Sequence, residues 1–96
     1  MNKKEIQHAI TREVCAFVTN LGYIISDDGM GGYLTFMKPD TKRHDDTIEW
    51  HRSYQETCVL NWASDEVKAD AAKIDAHMAP IIENYNDQYV PKRATA

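Results

Sequence analysis

The chain has 96 residues, 43% hydrophobic and 27% charged, with 11 Lys and Arg against 15 Asp and Glu for a net charge of −4. A chain of this length builds one hydrophobic core and not two, and its composition is globular rather than disordered or low in complexity. The acidic balance, with no basic stripe, argues against a dedicated nucleic-acid binder, because such proteins bind by neutralising phosphates with Lys and Arg.

In the first segment Ile6, Ile10, Val14, Phe17 and Leu21 recur at helical spacing, with Val18 on the flank of the stripe. Asn2 suits an N-cap, Glu5 the first turn, and Gly22 a left-handed helix end, so the spacing predicts a helix over 3–21. Thr11, Arg12 and Glu13 interrupt the apolar pattern behind the basic start, which reads as a helix and not as a secretory signal. The longest uncharged run, Val14 to Ser26, contains Asn20 and Gly22 and falls short of the ~20 residues that cross a bilayer.

Tyr23 to Ser26 and Tyr33 to Met37 are short β-branched and aromatic runs on either side of Asp27-Asp28-Gly29-Met30-Gly31-Gly32, the pattern of a hairpin. The loop Lys38 to Asp46 holds Pro39 and the charges Lys38, Asp40, Lys42, Arg43, Asp45 and Asp46, and is expected to be exposed and mobile. Two further strands are expected, one over Thr47 to Tyr54 with Ile48, Trp50 and Tyr54 on its heavier face, the other with Cys58, Leu60 and Trp62 alternating against Thr57, Val59 and Asn61. Trp50, Tyr54 and Cys58 are also four apart, so a helix competes for this stretch, but aromatic and β-branched content favours strands.

Ser64 caps the last element, with Asp65 and Glu66 in its first turn. Val67, Ala71, Ile74, Met78, Ile81, Ile82, Tyr85 and Tyr89 form one apolar stripe, and Pro80 falls on the opposite side, where it bends a helix rather than ending it. The fold class that results is α+β. An N-terminal helix, a three- to four-stranded antiparallel sheet and a long C-terminal helix (α-β-β-β-β-α) form one domain over residues 1–90, with both helices on one sheet face and a fraying tail over 91–96.

Candidate chemistry is sparse. The Asp-Asp-Gly-Met-Gly-Gly segment lacks the Lys-Ser/Thr and following helix of a phosphate loop, and the spaced ligands and terminal Glu of a calcium loop. His44, Asp45, Asp46 and His51, with Cys58 in reach, match no zinc spacing. His8 and His77 fall on polar helix sides, and the serines and cysteines sit in no nucleophile context. No enzyme activity, cofactor or metal is expected. Cys15 and Cys58 form no close pair, which suits a reducing cytoplasmic setting better than a secreted one.

The uncovered face of the sheet is the most informative surface. By alternation it would carry Tyr33, Thr35, Met37, Glu49, His51, Ser53, Thr57, Val59 and Asn61. The leading expectation is a small acidic protein-binding module, an adaptor or inhibitor, of the kind mobile elements use against host nucleic-acid-handling or defence machinery. Its partner-binding residues would be Tyr33, Lys42, Arg43, Asp45, Asp46, Glu49 and His51, and a homodimer is compatible with it. Two alternatives are a metal- or ligand-dependent enzyme using the His44/His51/Cys58 region and a nucleic-acid binder acting through Lys42, Arg43 and Trp50.

Overall fold

The computed structural model describes residues 1–27, 32–39 and 46–88. Helix α1 (Lys3–Asn20) leads into strands β1 (Ile24–Ser26), β2 (Tyr33–Met37), β3 (Thr47–His51) and β4 (Glu56–Cys58), and helix α2 (Asp65–Asp87) closes the chain. The strands form one antiparallel sheet in the order β1-β2-β3-β4, so each neighbour in sequence is a neighbour in space. The α-β-β-β-β-α layout expected from periodicity is the one observed.

Both helices begin where the sequence places a cap. The Asn2 side chain accepts the Glu5 N–H at 2.9 Å while the Glu5 carboxylate accepts the Asn2 N–H at 3.2 Å, a reciprocal capping box. Ser64 Oγ accepts the Val67 N–H at 3.2 Å and caps α2. After α1 the chain turns through Gly22, whose φ of 93° is a left-handed conformation that a side chain would strain. Helix α2 runs unbroken through the exposed Pro80.

The core lies between the two helices and one face of the sheet. Ile6, Ile10, Val14 and Val18 of α1 meet Val67, Ala71, Ile74 and Met78 of α2 over Leu34, Phe36, Ile48 and Trp50. Val18 is fully buried and Phe17 and Leu21 are only half-buried, so the stripe of α1 is rotated from the expected one toward the Ile6–Ile10–Val14–Val18 row. Displaced from the core, the Phe17 ring stacks on His77 of α2 with centroids 4.0 Å apart. Asp70 is the one buried charge on α2, and Tyr23 Oη donates to it at 2.6 Å. Burial first and the Asp70 bond second push the Tyr23 phenol well above its ordinary pKa. Lys38 lies 3.9 Å from the same carboxylate, 5.5 Å over the Tyr23 ring, and pairs with Glu66.

Backbone hydrogen bonds fix which way each strand residue points. The Arg52 N–H donates to the Gly32 carbonyl at 3.1 Å, so by antiparallel alternation Leu34/Trp50 and Phe36/Ile48 are the hydrogen-bonded pairs of β2 and β3. Glu49 and His51 then bond to Cys58 and Glu56 of β4, and Thr35 and Met37 bond to Ser26 and Ile24 of β1. The N–H of Thr57 points out of the sheet at the β4 edge, and Asp75 of α2 accepts both it, at 3.0 Å, and the Thr57 hydroxyl, at 2.7 Å. At the other edge Ile25 points outward, and its backbone groups meet no hydrogen-bond partner among the described residues.

Candidate protein-docking face

The same alternation sorts the side chains between the two faces. On the open face, cross-strand neighbours form three rows: Ile24, Met37 and Thr47; Ser26, Thr35, Glu49 and Cys58; Tyr33, His51 and Glu56. The opposite face carries Ile25, Leu34, Phe36, Ile48, Trp50 and Thr57 toward the helices. No described residue covers the open face with a third layer, and Ile24 there is 55% exposed.

The third row is aromatic. The rings of Tyr33 and His51 meet edge to face at 4.2 Å, and the Tyr54 ring lies tilted against His51 at 4.8 Å. Tyr54 belongs to the four-residue turn between β3 and β4 and is 72% exposed, which makes it the most accessible large apolar side chain on this face. The turn closes with the Gln55 N–H on the His51 carbonyl at 2.7 Å and places Gln55 at φ 57°, a conformation that glycine or asparagine adopts more readily. His51 Nδ1 is buried and has no hydrogen-bond partner among the described residues.

Charge is divided across the sheet. Lys38 and Arg52 follow the parity of Phe36 and Trp50 and therefore lie on the helix side. There Lys38 pairs with Glu66, and Arg52 reaches Asp27 at 2.8 Å. The Arg52 charge also offsets part of the burial that raises the Cys15 thiol pKa on α1. Glu49 and Glu56 point the other way and have no ion pair among the described residues. The strand residues of the open face thus carry two carboxylates and no cation.

The structure brings together three of the residues expected to bind a partner, Tyr33, Glu49 and His51. Asp46 plays a different part, since its Oδ1 accepts the Ser64 N–H at 2.8 Å and ties the start of β3 to the cap of α2. Lys42, Arg43 and Asp45 lie outside the described residues, as do His44 and the 91–96 tail.

The expected face of β4 is inverted. Thr57 looks toward the helices, Cys58 and Glu56 occupy the open side, and Val59 packs against the core. Leu60 and Trp62, expected inside, are 41% and 60% exposed on the connection to α2, and Tyr54, expected beside Trp50, stands on the turn. Strand β4 ends at Cys58, so period-two alternation carried through to Trp62 assigns faces to residues that belong to no strand. The face residues that sequence alternation missed are Ile24, Ser26, Thr47, Tyr54, Glu56 and Cys58.

Of the residues named for the alternative sites, Trp50 is placed where it cannot serve, while Lys42, Arg43 and His44 lie outside the described residues. Trp50 is 1% exposed beneath both helices and cannot stack on a base, which removes it from a nucleic-acid surface. Among the described residues no three His, Cys, Asp or Glu side chains converge, and the His44/His51/Cys58 region extends beyond them at His44. A cleft of about 260 Å³ between α1, the β3–β4 turn and the end of α2 is lined by Lys3, Ile6, Gln7, Ser53, Gln55 and Asn86, three of them amides and none a carboxylate or histidine. No described helix is long and apolar enough to cross a membrane.

Comparison of the chain with protein-family models, with curated proteins and with solved structures found no match. The functional reading therefore rests on the chemistry of the face itself.

Proposed function

We propose that the protein is a non-enzymatic binding module, an adaptor or inhibitor, that docks a protein partner on the open face of its sheet in a reducing, cytoplasmic setting. The observation that carries this reading is the make-up of that face: Ile24 and Tyr54 more than half exposed, Tyr33 and Met37 beside them, and carboxylates as the only charges on its strands. Aromatic and methionine side chains are enriched at the centre of protein interfaces, and a sheet face that no described residue covers, backed by helices on the other side, presents them on a rigid frame. Cys15 and Cys58 are unpaired thiols on separate elements, which suits a compartment where thiols stay reduced. Action against a host nucleic-acid-handling or defence protein is a specific form of the same reading, favoured by the small acidic domain.

The test is capture of a partner by the tagged protein from its source cell, followed by mapping. Capture is expected to be lost with Thr35→Arg or Tyr54→Ala and kept with Ala76→Arg, which changes an exposed position on α2. In the complex, alkylation of Cys58 should slow, because that thiol lies on the face. Capture that survives both face variants, or a complex in which Cys58 reacts at its original rate, would overturn the reading.

A further inference from the structure

The division of charge across the sheet says what kind of side chain the partner brings. An open face with carboxylates and no strand cation favours a cationic group, and the arrangement around His51 narrows its shape. Glu56 stands beside His51 in one row, and Glu49 lies two residues along β3, so the two glutamates are diagonal neighbours roughly 7–8 Å apart. Tyr33 and Tyr54 flank the same histidine with accessible ring surface. A planar cation fits such a place, because it stacks on a tyrosine and directs N–H donors at a carboxylate at once. An ammonium pairs as a point charge and gains less from the rings.

We infer that the partner docks an arginine side chain against the Tyr33–His51–Tyr54 ring cluster, its guanidinium paired with Glu56 or Glu49. This inference rests on the reading of the open face as the docking surface, and it names the partner chemistry as an arginine-bearing protein segment. Both carboxylates are exposed and without an ion pair among the described residues, so a guanidinium displaces no existing partner. Lys38 and Arg52 are held on the far side by Glu66 and Asp27 and do not compete for the place.

The experiment is a titration of the 15N-labelled full chain with an acetylated, amidated nonapeptide of alternating Arg and Ser, followed by backbone amide shifts. Its controls are the same peptide with citrulline, which keeps the shape and loses the charge, or with lysine in place of each arginine. Saturable shifts are expected over 24–26, 33–37, 47–51 and 54–58. Binding should weaken on the order of tenfold with citrulline and less with lysine. Glu49→Gln with Glu56→Gln, and separately Tyr54→Ala, should each weaken the arginine peptide several-fold at unchanged melting temperature, since all three residues are exposed.

Equal binding of the citrulline peptide, equal binding by the Glu49/Glu56 variant, or shifts centred on the acidic start of α2 at Asp65 and Glu66 would overturn the inference. The two readings fail separately. A partner captured through the face whose footprint contains no arginine defeats this inference and leaves the docking surface standing, whereas a partner indifferent to Thr35→Arg defeats the docking surface itself.

Discussion

Asp75 holds Thr57 twice, accepting its backbone N–H at 3.0 Å and its hydroxyl at 2.7 Å. The pair joins the middle of α2 to the edge of the sheet and closes the outward donor of β4, the group through which an exposed edge recruits another strand. Asp75→Ala is expected to destabilise the fold by about 1–2 kcal/mol, the lower part of the range for charge-assisted bonds because water reaches the site. Thr57→Val keeps the N–H bond and should cost about 0.5–1 kcal/mol. Urea unfolding monitored by tryptophan fluorescence gives both values; equal losses would mean that the hydroxyl carries the pairing.

A second relationship between helix and sheet lies deeper. Asp70→Ala leaves the Tyr23 hydroxyl without its acceptor in a buried site and is expected to cost about 2–3 kcal/mol. Adding Tyr23→Phe to Asp70→Ala removes the orphaned group, so the double variant should be less destabilised than the sum of the two single changes. Additive losses in a thermal or urea double-mutant cycle would separate the two residues energetically.

The same bond sets a dependence on alkaline pH. The Tyr23 phenol is raised above its ordinary pKa by burial and by Asp70, so between that ordinary value, about 10, and its folded value the unfolded chain has released a proton that the folded protein retains. The unfolded state then binds fewer protons, and stability falls as pH rises through this window; the contribution is fully present below about pH 10. Tyr23→Phe should flatten the loss of stability between about pH 10 and 11.5, read as the slope of urea midpoints against pH. An unchanged slope would place the alkaline sensitivity elsewhere.

The turn that carries Tyr54 stores a small strain at Gln55. A β-branched residue suits its positive φ worse than glutamine, so Gln55→Val is expected to cost about 1–2 kcal/mol, while Gln55→Gly should be close to neutral as relief of strain offsets the added freedom of the unfolded chain. If Gln55→Val matches the wild type in melting temperature, the turn does not need this conformation.

Much of this architecture was readable where a local rule acts alone. Asn2 and Ser64 announce the helices because a capping side chain is a contact within one turn. The apolar stripe of α2 runs for several turns, enough for periodicity to fix which side faces the core through Met78. The misread parts depend on partners distant in sequence. Val18 rather than Phe17 takes the core because the sheet lies on that side of α1 and His77 takes up Phe17. Thr57 turns inward because Asp75, eighteen residues later, is there to receive it. Of the open face, Tyr33, Glu49 and His51 followed from alternation, whereas Tyr54 and Glu56 arrive through a turn whose geometry no alternation describes.

The two edges of the sheet differ in what they leave open. Asp75 takes the outward N–H of Thr57 on β4, while the outward N–H and C=O of Ile25 at the centre of β1 meet no partner among the described residues. A sheet that extends at both edges can grow into a fibre, as each added chain offers a fresh end to the next. With the Thr57 donor taken by Asp75, the β4 edge offers an incoming strand one backbone donor fewer than β1 does. The carboxylate of Asp75 is therefore a guard on one strand edge as well as a fastening between helix and strand.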